Sequence, residues 1–321
     1  MTTMPQTSRA HRTGPAIPGP APGGREAPGG AALRLPDFLC IGAMRCGSTT
    51  LWELLGRHGR VFLPRTKELH YFDNREGAFD RGPGWYARHF EAADPAQLVG
   101  ECTPKYFYLD DARRRIQRLL PEAKFVLILR DPVKRAWSHY WFRARQGHEW
   151  LGFCDALDAE QDRLARTDDA HEKYRFAYTT VGQYAWNLEQ WDNDVGRQRL
   201  CVILLEDLLA NPSATIARVF AHLGLVPEEG VDWEELPHKN AASWPRHLWL
   251  HRLAKRQMAW APHRSRPWHR LARRLGRCVR DLNLSPGTPP MPVAVRERLV
   301  AAFEQSNQKV AQRLGRQLPW I

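Results

Sequence analysis

Short continuous apolar runs alternate along this chain with stretches whose apolar positions recur at helical spacing. Phe38-Leu39-Cys40-Ile41-Gly42, Phe125-Val126-Leu127-Ile128-Leu129 and Leu200-Cys201-Val202-Ile203-Leu204-Leu205 are too short for helices and read as strands buried on both faces. Leu98-Val99-Gly100 reads as a shorter strand. Between them, Leu51, Leu54 and Leu55 share one helical face, and Ala112 to Leu120 reads as a helix stopped by Pro121. A turn at Asp131-Pro132 leads into a helix carrying Arg135 to Tyr140, and residues 181–195 have helical periodicity. Asn211-Pro212 opens a helix through Ile216, Val219, Phe220 and Leu223 that Gly224 closes, and a last helix spans Val293 to Leu314. This alternation predicts an α/β fold of P-loop-like, three-layer type, with a central parallel sheet flanked by helices. Residues 1–33 are rich in Pro, Gly and Ala without apolar period and are expected to form a disordered tail, leaving 34–321 as the domain.

Composition sharpens this outline. The chain has 321 residues, 43% of them hydrophobic, enough for one real core. No apolar run approaches the roughly 18 residues of a membrane span, and the N-terminus lacks the plan of a secretory signal. The six cysteines are scattered with no CxxC pair, which points to reduced thiols in a cytoplasmic protein rather than a disulfide or zinc framework. The Arg/Ala/Pro-heavy composition suggests a bacterial source. The net charge of +12 is concentrated: residues 245–280 hold eleven Arg/Lys and no Asp/Glu. Residues 244–290 are expected to form a basic helical cap or lid that shapes the acceptor site. Its tryptophans (Trp244, Trp249, Trp260, Trp268) suit sugar or base stacking, an anionic membrane surface, or plain inward packing.

The chemistry begins in the loop after the first strand, Gly42-Ala43-Met44-Arg45-Cys46-Gly47-Ser48-Thr49-Thr50. GxxxxG between strand and helix matches a phosphate-binding loop, in which amide N–H groups and the helix N-terminus hold an anion. The lysine that an ATPase places after the second glycine is absent; Ser48 stands there. That points to a donor without a γ-phosphate. The plainer reading is a glycine turn capped by hydroxyls. A second constellation follows the strand 125–129. Arg130 sits at the sheet's carboxyl rim, where α/β folds bind ligands, and Ser138 lies eight residues on. Arg130 offers a fork to a phosphate, or else pairs with a carboxylate.

These two segments resemble the cofactor motifs of PAPS-dependent sulfotransferases (PAPS is 3′-phosphoadenosine-5′-phosphosulfate), in the bacterial and heparan-sulfate-type branch. The first resembles the 5′-phosphosulfate loop K-x-G-T-T, with Arg45 at the lysine and Ser48 at the first threonine. The second, FVLILRDPVKRAWSHY, resembles the 3′-phosphate motif R-x-P-x-x-R-A-x-S-x-Y. The resemblance implies PAPS as co-substrate and PAP as product, with no metal. It implies Arg45, Cys46, Gly47, Ser48, Thr49, Thr50, Arg130 and Ser138 as cofactor-binding residues, with Arg45 also acting on the leaving oxygen.

Lys67-Glu68-Leu69-His70-Tyr71-Phe72-Asp73 resembles the E-x-H-F-F-D segment of heparan-sulfate-type enzymes. That assigns Glu68 as the base that takes the acceptor's proton, with His70 as the alternative base and Asp73 shaping the site. Glu101-Cys102-Thr103-Pro104-Lys105-Tyr106-Phe107 resembles the family's E-K-[ST]-P-x-Y-F element, with Cys102 in place of the lysine. Glu101 then supports the site or binds acceptor; a buried salt bridge is the simpler role. Lys67 reads either as a donor contact or as an ordinary surface lysine, and Lys239-Asn240 as part of a late loop over the nucleotide. The expected reaction moves a sulfuryl group to an acceptor hydroxyl or amine on a carbohydrate, lipid or secondary metabolite. No nucleic-acid partner is expected, and the oligomeric state is not legible. Two other readings stand beside it. A P-loop kinase needs a lysine and a magnesium-binding acid that the sequence does not place. A nucleic-acid-binding protein explains the basic segment but leaves the loop idle.

Overall fold

The computed structural model describes residues 33–237, 243–260 and 267–320. Most of the proposed tail and Lys239-Asn240 lie outside the described residues.

Five parallel strands form the central sheet: β1 (Phe38–Gly42), β2 (Val61–Phe62), β3 (Leu98–Cys102), β4 (Lys124–Leu129) and β5 (Leu200–Leu204), in the order β2-β3-β1-β4-β5. Registers such as Cys40 opposite both Cys102 and Val126 put β1 at the centre. Its five residues are buried, as a strand covered on both faces requires. The four longer strands follow the apolar runs; β2, only two residues long, has no run to announce it.

Helices α1 (Ser48–Leu55), α2 (Gly82–Ala87), α3 (Asp110–Leu119) and α4 (Pro132–Arg145) follow in the first half. Then come the short α5 (Phe153–Asp158), α6 (Glu160–Ala165) and α7 (Ala170–Lys173), and α8 (Tyr184–Val195), α9 (Leu205–Ala210) and α10 (Pro212–Leu223). The helical periodicity at 181–195 resolves into a 3₁₀ turn, Thr180–Gly182, and then α8. Asp131 caps α4, accepting from the N–H groups of Val133 at 2.9 Å and Lys134 at 3.4 Å, and Pro132 fills the first helical position. Asn211 caps α10 in the same way, and Gly224 ends it in the left-handed conformation at φ 87°.

The basic segment comprises α11 (Leu248–Trp260) and α12 (Pro267–Leu282), packed on each other and flanked by a two-stranded antiparallel ribbon, β6 (Ser243–Pro245) with β7 (Leu284–Pro286). The final helix, α13 (Val293–Leu314), packs on α4 and α8, with Leu299 and Phe303 in a second apolar cluster beside the main core. Among the described residues, no helix is long and apolar enough to cross a membrane.

Because all five strands are parallel, their carboxyl ends share one rim. The first loop follows β1, the segment 67–73 follows β2, Thr103 follows β3, and Arg130 with α4 follows β4. The sheet thus gathers four distant stretches of sequence at a single edge. The first loop requires glycine. Gly47 holds φ 93°, and a Cβ there would lie 2.7 Å from Leu205 Cδ1. Gly47→Ala should therefore lower stability by about 1–2 kcal/mol, the cost of a left-handed L-residue. Urea unfolding measures it; an unchanged midpoint would show that the loop relaxes freely.

Candidate active site

The loop after β1 ends in helix α1, whose first intrahelical bond runs from Leu51 N–H to the Gly47 carbonyl. The first-turn amides of Ser48, Thr49 and Thr50 precede it, and no side chain caps them. They make a ready anion site, strengthened by the helix dipole. Cys46 contributes only backbone: its thiol is fully buried, 3.5 Å from the Tyr184 hydroxyl, and burial pushes it up to about 11. Tyr184 in turn donates to the Arg130 carbonyl at 2.9 Å, locking the two rim loops together.

Arg45, at φ 66°, leaves the loop toward α4. Its Nε and Nη2 donate to Ser138 Oγ at 3.3 and 3.2 Å, and its guanidinium lies 4.5 Å from the centre of the Phe142 ring. Arg130 donates to the Arg45 carbonyl at 3.4 Å. The structure thus brings Arg45, Arg130 and Ser138 together. Arg143 and Arg145 lie 5.4 and 5.8 Å from the same Phe142 ring, and no sequence motif had marked them. Burial, with the like charges of Arg145 and Arg130, lowers Arg45 to about 10, so it stays charged at neutral pH. Cations held this close repel one another, and an anionic ligand relieves that repulsion.

On the other side of the loop stands Lys67. Its side chain is 17% exposed, and its ammonium donates to Ser48 Oγ at 3.4 Å and to Glu68 Oε1 at 2.9 Å. It is therefore no ordinary surface lysine: it ties the anion loop to the acidic segment.

Glu68 and His70 both occupy the left-handed region, at φ 64° and 53°. The neighbouring strand holds them there. Glu68 N–H donates to the Cys102 carbonyl at 3.1 Å, and His70 N–H to Thr103 Oγ1 at 3.4 Å. Thr103 donates to Glu101, which is buried and 3.4 Å from the Tyr86 hydroxyl. Burial raises Glu101 to about 7. Through the Thr103 hydroxyl, and through the backbone of Leu69, Glu101 is linked to the 68–70 turn, with the His70 charge acting on it as well. His70 Nδ1 lies 2.8 Å from Asp73 Oδ2, and His70 Nε2 lies 3.6 Å from Glu68 Oε2.

Burial opposes charge on Glu68, but the close His70 ring and the hydrogen bond and charge of Lys67 outweigh it, pulling the carboxyl down to about 2. Burial likewise opposes charge on His70, but Asp73 and Glu68 raise it to about 9. At neutral pH the site holds a carboxylate between two cations.

Amides, hydroxyls and guanidinium groups at the carboxyl rim of a parallel sheet, with a serine in place of the ATPase lysine, define a P-loop-like anion-binding α/β protein. A profile of the sulfotransferase family matches residues 82–229. The mouse heparan sulfate glucosamine 3-O-sulfotransferase 6 is 29% identical over 302 residues, which is 94% of this chain and 78% of that protein. A membrane-associated sulfotransferase (kil1) of Dictyostelium discoideum is 33% identical over 162 residues, 46% of this chain and only 33% of its own length. The crystal structure of a sulfotransferase from Alicyclobacillus acidocaldarius shares the fold with TM-score 0.65 at 23% identity, covering 89% of this chain and 98% of that one. Residues 82–229 thus match the sulfotransferase family, and the chain is similar to sulfotransferases in sequence and in fold.

The carboxylate–imidazolium arrangement carries a pH signature. Raising the pKa of His70 stabilises the fold fully below its ordinary value of 6.5, and this contribution is lost as pH rises through about 9. The difference in thermal midpoint between wild type and His70→Gln should be widest below pH 6.5 and shrink toward pH 9. A constant difference over that range would show that the two neighbours do not hold the charge.

Proposed function

We propose that this chain transfers a sulfuryl group from PAPS to an acceptor hydroxyl or amine and releases PAP. The observation that carries this reading is the Lys67 ammonium, within hydrogen-bonding distance of both the loop hydroxyl Ser48 and the carboxylate Glu68. A donor whose phosphosulfate rests on the loop would present its sulfur toward that carboxylate. The likeness to a heparan sulfate 3-O-sulfotransferase supports the same chemistry.

In this account the first-turn amides, Ser48, Thr49 and Thr50 hold the 5′-phosphosulfate, and Arg130 with Ser138 holds the 3′-phosphate. Arg45 belongs with the latter pair as well as with the loop, since its guanidinium bonds Ser138. Lys67 is the cation beside the transferred group. The acceptor oxygen attacks sulfur in line with the departing phosphate oxygen. One S–O bond forms as the other breaks, the acceptor's proton passes to Glu68, and the bonding electrons leave with PAP. The transition state is loose, by analogy with phosphoryl transfer, so alignment and charge stabilisation supply most of the acceleration. Glu68 fits the base better than His70: a base must be unprotonated, and an imidazole raised to about 9 is not at neutral pH. His70 instead orients the carboxylate.

The six free cysteines support a reducing compartment such as the cytoplasm. The acceptor is an alcohol or amine of a carbohydrate, lipid or secondary metabolite.

Incubation with radiolabelled PAPS and a panel of such acceptors, following label transfer and PAP release, tests the activity. Glu68→Gln should lower turnover roughly 10²–10⁴-fold with nucleotide binding intact. Normal turnover in that variant would remove Glu68 from the role. Lys67→Met should lower kcat much more than it raises KM for PAPS; equal effects on both would make it a ground-state contact only.

A further inference from the structure

The basic segment carries an exposed surface outside the contacts described above. On α11, Trp249, Arg252, Leu253 and Arg256 recur at the spacing of one helical face, and all four are exposed, Trp249 by 68% and Leu253 by 54%. The opposite side of the helix carries the buried His251 and Ala254. The Arg252 guanidinium lies 4.0 Å from the centre of the Trp150 ring, which is itself 47% exposed. That contact joins Trp150, beyond the end of α4, to the same patch. On α12, Leu275 and Leu282 are exposed beside Arg274 and Arg277.

Large apolar side chains left in water mark an interaction surface, and the partner's chemistry follows from what surrounds them. Residues 245–280 contain eleven Arg/Lys and no Asp/Glu, so the partner is anionic. A soluble polyanion would satisfy the arginines and leave the tryptophans and leucines wet. A bilayer with anionic headgroups takes both. Tryptophan rings settle at the headgroup level, leucines reach the acyl boundary, and arginines extend to lipid phosphates. We propose that the exposed face of α11, with Trp150, docks this protein peripherally on an anionic lipid bilayer.

The segment that carries this face is anchored to the helix of the active site. A His251 ring nitrogen lies 2.7 Å from the Arg145 carbonyl, and Trp244 packs edge-on against Trp141 at 5.4 Å. Both contacts are on α4, the helix that carries Ser138 and Phe142. Docking would therefore fix the orientation of the site relative to the membrane plane.

Co-sedimentation of the full chain with phosphatidylcholine vesicles, with and without phosphatidylglycerol, tests the proposal. Tryptophan emission is recorded in parallel. The protein should partition onto phosphatidylglycerol-containing vesicles with a blue shift, and not onto phosphatidylcholine alone. The double variant Trp249→Ser/Leu253→Ser keeps every charge, and its partitioning should fall about tenfold or more, in line with the loss of two buried apolar groups. Both substitutions are at exposed positions, and an unchanged circular dichroism spectrum confirms the fold. Vesicle binding by the double variant equal to wild type would overturn the proposal, because charge alone would then explain it. So would binding of soluble polyphosphate without partitioning onto vesicles.

Discussion

A single ammonium group joins the two halves of this site. Lys67 donates to Ser48 in the anion loop and to Glu68 in the acidic segment, so the place where a donor's anion would rest and the place where a proton would be taken are fixed relative to each other. Its charge helps hold the Glu68 carboxyl at about 2, and that carboxylate in turn helps hold His70 at about 9. Remove the lysine and the carboxylate loses a neighbour on the loop side, while the imidazolium on its other side remains.

That arrangement is possible because the sheet is parallel. Each segment emerges from the carboxyl end of a different strand, and β1 at the centre places its loop between the contributions of β3 and β4. Backbone strain completes the site. Arg45, Glu68 and His70 all adopt left-handed conformations, and neighbours at the rim hold them there: the Cys102 carbonyl and Thr103 for the acidic turn, Arg130 for the loop. Such strain persists where surrounding contacts over-determine it, and here it aims side chains that an ordinary turn would direct elsewhere. Glu101, buried and raised to about 7, is linked to this turn through Thr103.

The fold was legible wherever burial on both faces leaves an unbroken apolar run. β1, β4 and β5 were read nearly to the residue, and the Asp131-Pro132 and Asn211-Pro212 caps were visible as sequence. β2 was not, because two residues paired only with β3 leave no pattern. In the site, local motifs marked the loop, Arg130, Ser138 and the Glu68–His70 segment. Their mutual contacts were invisible. That Arg45 reaches Ser138, 93 positions away, depends on the direction its strained backbone takes. Lys67 admits two readings in sequence for the same reason: spacing shows a lysine beside a glutamate, and only the fold brings its ammonium to Ser48. Arg143 and Arg145 carry no motif and join the site through a shared aromatic ring.

In the proposed reaction this anion site takes a nucleotide carrying a 3′-phosphate and a 5′-phosphosulfate, not a triphosphate. Calorimetric titration of the purified chain with PAP, and in parallel with ATP and magnesium, tests it most directly. The account predicts tight, saturable binding of PAP and none of ATP. Binding of ATP with no response to PAP would contradict it and turn the site into that of a phosphoryl-transfer enzyme.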